Sequence, residues 1–383
     1  MKIYMDNAAT TPVANEVLKA MEPYFSKEFG NPNSLYVLGQ RARDAVEESR
    51  KIVANMINAK PEEIIFTSGG TESDNLAIKG LALGNENKRH VITTKIEHHA
   101  VLETCKWLEK NGYEITYLDV DGYGLVNPED VEMAIRKDTL LVSVMHANNE
   151  IGTIEPIKEI GTICRKKGVY FHTDAVQTIG KIPIDVKEMN IDLLSASSHK
   201  IYGPKGVGFL YVRNGIKIEP LIHGGGQENK MRSGTENVAG IIGFGAAIKL
   251  AKKNMRTESK TETKLKDYLI KEVMKIPKSY LNGHKTKRLP FNAHFWFSGV
   301  EGEAIVMLLD KYGIAASTGS ACSSGSLEPS HVLTSIGLNE EQAHGSLRLT
   351  IGRQTTFKEI RYTVKALKKI VNKLRKMSPT WVG

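Results

Sequence analysis

The 383-residue chain suits two domains around a large core, and 25% charged with 41% hydrophobic residues is ordinary for a soluble globular protein. The net charge of +9 is spread along the chain with no block of five like charges, so it describes a solvated basic surface and no direct nucleic-acid binding is expected. Three cysteines without C-x-x-C spacing exclude a disulfide framework and argue against a structural zinc site; with no apolar signal region and no eighteen-residue apolar run, a cytoplasmic protein that does not enter membranes is expected.

In chain order, residues 1–12 read as extended, ending in the turn-like Asp6-Asn7-Ala8-Ala9-Thr10-Thr11-Pro12. Helical spacing follows over 15–25, then a loop over 29–34 and a long helix over 36–57. Strands are predicted at 64–67, 91–94, 113–118, 140–145 and 169–172. Helices at 71–83, 99–110, 128–136 and 156–167 alternate with them, the last with proline in its first turn. Apolar runs at 191–194 and 207–212 flank a turn rich in hydroxyls and glycine. This rhythm predicts an α/β fold, a largely parallel sheet covered by helices on both faces. A helix over 237–253 is followed by a charged run over 252–266, which reads as a shift in composition. Beyond it come a helix, a strand at 293–297, a helix at 301–312, a strand at 346–351 and a last helix from Lys358. The expected division is a large domain over 14–255 and a small α+β domain made of 1–13 with 256–383.

In open α/β sheets, ligands collect beyond the carboxyl ends of the strands. Lys200 lies at the joint of Ser195-Ala196-Ser197-Ser198-His199-Lys200, between two strand-like runs. Desolvation there can lower a lysine's pKa until its neutral amine forms a Schiff base with an aldehyde. Ser197, Ser198 and His199 beside it suit a phosphate ester, and an aldehyde carrying a phosphate suggests pyridoxal 5′-phosphate (PLP). Taken alone, the stretch also reads as a polar hairpin with an exposed lysine. Thr67-Ser68-Gly69-Gly70-Thr71 is a strand–glycine turn–helix passage that offers N–H groups to a phosphate, or is an ordinary βα turn. Asp174, after a strand, is placed to pair with a protonated pyridine nitrogen, or to cap the next segment. His98 suits stacking on a planar ring or proton transfer, or mere capping. A rival arrangement gathers His98, His146, His172 and Asp174 around a metal; no His pair has a recognisable ligand spacing, and it ranks below PLP.

Cys105 and Cys164 share helical faces with apolar residues and read as core. Cys322 lies in the small-residue run 317–326, which is expected to be exposed and mobile, making its thiol a candidate nucleophile.

Phe66 to Asn75, Glu97-His98, His146 to Gly152, Asp174 to Gln177, Ser198 to Gly206, Arg232-Ser233-Gly234-Thr235 and Ser320 to Ser324 together resemble a known family. The chain is similar to the PLP-dependent cysteine desulfurases of the NifS/IscS type, within the class V aminotransferases, from Tyr4 to about Arg353. The resemblance implies PLP fold type I, the aspartate-aminotransferase-like arrangement. It implies that Lys200 binds PLP covalently and serves as acid and base at the substrate Cα. Asp174 would hold the pyridine nitrogen protonated, with His98 stacked on the ring. Gln177 and Asn148 would address the phenolic oxygen and the substrate. Gly70, Thr71, Ser197, Ser198 and His199 would hold the phosphate, with Thr235 reaching the phosphate of a partner subunit in a homodimer. Arg348 would pair with the carboxylate of L-cysteine. Cys322 would take the sulfur as a persulfide, releasing alanine, and pass it to an iron–sulfur scaffold protein or a tRNA-thiolation enzyme. No resident metal is implied, although Cys322 could ligate a nascent cluster transiently. Gly70 stands where the family often has alanine, Ser198 where it often has glycine, and Asn33-Ser34-Leu35-Tyr36 replaces a segment ending in histidine. The alternatives are a selenocysteine lyase or other PLP-dependent β-lyase, and a catalytically silent sulfur-relay subunit that binds a scaffold.

Overall fold

A computed structural model describes residues 2–85, 87–319, 328–378 and 381. Twelve strands are present among them: β1 Ile3–Tyr4, β2 Ile64–Thr67, β3 His90–Thr94, β4 Glu114–Leu118, β5 Thr139–Ser143, β6 Tyr170–Asp174, β7 Leu193–Ser197, β8 Gly208–Val212, β9 Ser279–Asn282, β10 Asn292–Phe297, β11 Ile314–Ala315 and β12 Ser346–Thr350. Seven form the main sheet in the order β2-β8-β7-β6-β5-β3-β4. The run from β7 to β4 is parallel, as the alternating helices require, whereas β8 pairs antiparallel with both β7 and β2. Only the short Ser198–Val207 connection joins β7 to β8, too short for a crossover, so that edge must reverse.

Strands β3, β5, β7 and β8 are buried at every position, as expected when helices cover both faces. One face packs Val142, Phe171, Leu194 and Phe209 under helices that supply Val46, Val53, Phe244 and Ile248. The other packs Val91, Leu141 and Leu210 against Leu76, Val101 and Leu108. Cys105 and Cys164 are buried in these two cores.

The helix predicted to stop near residue 253 runs unbroken over Val238–Val273. The charged run contains neither Gly nor Pro, so nothing breaks the helix, and Leu265 near its end with Leu269 and Val273 beyond it enter a further core. That core is built on the antiparallel sheet β12-β10-β9 and the parallel pair β1–β11. Strands β9 and β11, only 4 and 2 residues long, were not expected from the sequence. Among the described residues no helix is long and apolar enough to cross a membrane.

One connection decides where the site forms. Met5 bonds to both Ala315 and Thr350 of the smaller sheets, and six residues later Thr11 N–H donates to His199 O at 2.9 Å. The segment 6–11 is thereby stretched from β12 to the turn that carries Lys200.

Candidate active site

The carboxyl ends of β6 and β7 open into a cavity of about 280 Å³ lined by Lys200, Asp174, His98, Gln177, Arg348 and the Gly70 turn, among others. Lys200 sits on the single turn Ser198–Lys200 that ends β7, and its Nζ donates to Ala8 O at 2.5 Å and Ala9 O at 2.8 Å. Gln177 Nε2 donates to the same Ala8 carbonyl at 3.0 Å. The N-terminal segment is therefore part of the wall.

Asp174 is the last residue of β6; its Oδ1 accepts the Val176 N–H at 2.8 Å. Burial pushes this carboxyl up to about 6, opposed by the Val176 N–H and the charge of Lys200. His98 caps the helix His99–Lys110, its Nδ1 accepting from Ala100 N–H at 3.1 Å, and still lines the cavity. Capping the helix and lining the cavity are thus one geometry. With Nδ1 occupied as an acceptor, the neutral ring carries its proton on Nε2. Burial and then Lys200 hold its pKa down near 4. His199, whose Nδ1 lies 3.1 Å from Thr10 Oγ1, is depressed to about 4 by the same two causes.

The glycine turn is shaped for close approach. Gly69 has φ +155°, a conformation that favours glycine, and a Cβ on Gly70 would lie 2.7 Å from Val176 Cγ2. The helical run from Gly70 to Leu83 begins there, so its first N–H groups face the cavity beside Ser197 and His199.

Arg348, on β12, is 2% exposed. Its Nη1 donates to Asn149 O at 3.0 Å and Gly319 O at 2.8 Å, and its Nη2 to Asp6 Oδ1 at 2.9 Å. Its Nε is buried with no partner among the described residues. Nε and Nη2 share one edge of the guanidinium, the edge a carboxylate takes bidentately.

Two residues expected at the cofactor, Asn148 and Ser198, do not line this cavity. Asn148 is fully buried and spends its side chain on a turn: Oδ1 accepts from Glu150 and Ile151 N–H, and Nδ2 donates to Ile96 O. Its neighbour Asn149 lines the cavity instead. Ser198 is buried beyond the cavity wall with its Oγ against Gly203, 2.0 Å from where a Cβ there would sit. Thr235 is exposed and outside this cavity. Cys322 lies outside the described residues.

The metal arrangement does not assemble. His146 is hydrogen-bonded to Thr178, and His172 to Ser143 and Ser195. Among the described residues no group of three or more His, Cys, Asp or Glu is placed to hold an ion.

The cavity also contains groups to which the sequence reading gave no role. Asp74 and Glu97 are each 1% exposed, and Glu97 Oε1 is anchored by Thr94 Oγ1 at 2.8 Å and Met145 N–H at 2.9 Å. His331 enters from the helix His331–Ser335, its Nε2 donating to Glu97 O at 2.9 Å. Asp74 and Glu97 stand within motifs that carry the family resemblance and Asp6 within the turn-like N-terminal stretch, which is their only signal; His331 has none.

The family model described as Aminotransferase class-V matches residues 3–362. A cysteine desulfurase IscS of Methanosarcina thermophila is 56% identical over 378 residues, covering 98% of this chain and 94% of that one. Among solved structures, a NifS-like protein superposes with a TM-score of 0.92 at 39% identity, covering 97% of this chain and 100% of the other. A structure titled SspA in complex with cysteine gives 0.83 at 40% identity, over 91% and 99%. With the expected lysine, aspartate, histidine and arginine around one cavity, the chain belongs to the class V aminotransferases, and within them to the cysteine desulfurases of the NifS/IscS type.

Proposed function

We propose that the protein is a PLP-dependent cysteine desulfurase that converts L-cysteine to L-alanine and holds the sulfur as a persulfide on Cys322. The observation that carries this reading is the convergence of Lys200, Asp174, His98 and Arg348 on one cavity beside a glycine turn. The residues fit PLP: a carboxyl at a strand end for the ring nitrogen, a neutral imidazole for the ring face, and helix-start N–H groups with Ser197 and His199 for the phosphate. When bound, PLP supplies an electron sink for bond changes at the substrate's Cα and Cβ.

The protein's own residues do the rest. Arg348 binds the substrate carboxylate through Nε and Nη2, with Asp6 and the Asn149 and Gly319 carbonyls fixing the guanidinium plane. Lys200, set against Ala8 and Ala9 carbonyls, takes and returns the proton at Cα. His98 stays neutral through the working pH range and presents Nε2–H to the cavity. The Cys322 thiolate attacks the substrate sulfur; the S–Cβ bond breaks with its electron pair left on carbon, and protonation completes alanine.

The same reading includes a cytoplasmic homodimer in which Thr235 serves the partner's phosphate site. Its exposure outside its own cavity supports this, as does the apolar group Phe25, Phe29, Leu35, Tyr36 and Val37, each more than 60% exposed. An iron–sulfur scaffold protein or a tRNA-thiolation enzyme would accept the sulfur. Residues 14–255 would form the large domain and 1–13 with 256–383 the small one; separate apolar cores support that division. The test is borohydride reduction of the PLP-loaded protein followed by peptide mapping. Label on Lys200, absent from Lys200→Ala, is expected; label on another lysine overturns the reading.

A further inference from the structure

L-Cysteine arrives as a zwitterion, and its ammonium has no lone pair with which to attack an aldehyde until a base takes one proton. Lys200 is engaged at Cα, and Nδ1 of His98 already accepts the Ala100 N–H. His199 stands beside Ser197 at the glycine turn, with its Nδ1 on Thr10. Two further imidazoles, His99 and His331, line the cavity with their rings 4.8 Å apart. His99 makes no side-chain hydrogen bond among the described residues, and burial, followed by the charge of His331, lowers its pKa.

His331 is fixed through one nitrogen and open at the other. Its Nε2 donates to Glu97 O at 2.9 Å, which sets the neutral tautomer and leaves Nδ1 as the acceptor. Nδ1 has no hydrogen-bond partner among the described residues. The backbone beneath the ring is held from two sides. Ser330 Oγ caps the helix by accepting the Val332 N–H at 3.2 Å and donates to Glu150 Oε2 at 2.7 Å. Val332 and Leu333 share a buried apolar cluster with Ile96, Met145 and Ile151. These contacts string His331 between two neighbours of the site: Glu97 immediately precedes His98, and Glu150 immediately follows Asn149, whose carbonyl accepts from Arg348 Nη1 at 3.0 Å.

We propose that His331 is a catalytic residue whose Nδ1 takes a proton from the ammonium of the incoming amino acid, releasing the neutral amine that attacks the cofactor. This rests on the reading of the cavity as a PLP site, with Arg348 on the substrate carboxylate and His98 on the ring. An amino acid held by the first and reacting beside the second carries its amine between them, on the side His331 occupies. One N–H bond breaks on the substrate, whose nitrogen keeps the electron pair, and one forms on Nδ1. The imidazolium then returns the proton to water, to which the residue is partly exposed. The described titratable and charged groups around it are His98 and His99 at the start of the helix His99–Lys110, Glu97 before them and Glu150 after β5, with Lys200 and Arg348 on the same cavity.

Nitrogen-15 NMR of the apoprotein histidines tests the tautomer, with the His331 signal identified by its loss in His331→Gln. An Nε2–H tautomer with a bare Nδ1 is expected; an Nδ1–H tautomer overturns the proposal. The variant keeps an N–H donor for the Glu97 carbonyl but has no base. In the PLP-loaded protein, its kcat/KM for L-cysteine should fall about 100-fold at pH 7. The gap should close to within about threefold by pH 9, because each unit of pH supplies about tenfold more neutral amine from solution. A wild-type to variant ratio that stays constant with pH would show a structural role and overturn the proposal. The two readings fail separately: borohydride label away from Lys200 removes the PLP site and this proposal with it, whereas label on Lys200 with a constant ratio overturns this proposal alone.

Discussion

Gly208→Ala isolates the glycine turn from the rest of the site. Gly208 pairs across β8 with Thr67 on one side and Ser197 on the other. An added Cβ would lie 2.5 Å from Ala196 O, 2.7 Å from Gly69 Cα and 2.8 Å from Gly69 C. All three are backbone atoms, so no flexible side-chain end can yield. Overpacking of this kind costs about 1–3 kcal/mol. Ala196 lies in β7, hydrogen-bonded to strands on both sides, so the turn at Gly69–Gly70 is the part expected to move, carrying the helix start away from Ser197. Binding PLP must then restore the turn, which weakens affinity about 5- to 140-fold, at 1.4 kcal/mol per factor of ten. The assay is PLP titration of the apoprotein, with circular dichroism to show that the sheet is intact. A folded variant that binds PLP like wild type would refute the argument that this turn forms the phosphate seat.

Three further outcomes are expected. Arg348→Lys replaces the two-donor edge by a point charge and should raise KM for L-cysteine about 10- to 100-fold, with a smaller change in kcat; steady-state kinetics in which kcat alone falls would contradict it. Arg50 meets both oxygens of Glu228, at 2.7 and 2.8 Å, with side chains only 8% and 4% exposed. Glu228→Gln should therefore cost about 3 kcal/mol in urea unfolding, because the buried guanidinium then keeps only the half-exposed Glu47 carboxylate, 3.0 Å from its Nε, as a charged partner; a cost below about 1 kcal/mol would show the pair to be solvated. His146 is 3% exposed and burial lowers its pKa to about 4, below the ordinary 6.5. The stability it contributes is present above pH 6.5 and is lost as pH falls toward 4, about 2 kcal/mol of it by pH 5. His146→Asn should narrow the difference in apoprotein urea midpoints between pH 7 and pH 5; an unchanged difference would show that His146 is not titrating there.

The site was legible where chemistry coincides with strand ends. Lys200, Asp174 and His98 each follow a run of apolar residues and precede a turn, so a local pattern places them at one edge of the sheet. Asn148 also follows such a run, yet its amide is consumed by the Glu150 and Ile151 N–H groups of its own turn. That distinction depends on backbone geometry that residue types do not carry. Asp74 lies inside a helix, and its approach to His172 depends on how that helix seats on the sheet. Glu97 is anchored by Met145 N–H and His331 reaches Glu97 O, contacts spanning 48 and 234 residues. In the fold, β8 runs backwards because its connection is short, a consequence readable from spacing but masked by the strong βαβ rhythm. The charged run after residue 252 looked like a boundary because exposed helix faces and linkers share a composition; helix-forming residues without Gly or Pro decide between them.

The most direct measurement is the fate of sulfur from L-cysteine in the PLP-loaded protein, comparing wild type with Cys322→Ala. The account predicts equal amounts of alanine and reductant-released sulfide from wild type, one sulfur atom added to the Cys322 peptide without reductant, and almost no sulfide from the variant. Equal sulfide release from both proteins would contradict the persulfide route and leave a β-eliminating lyase.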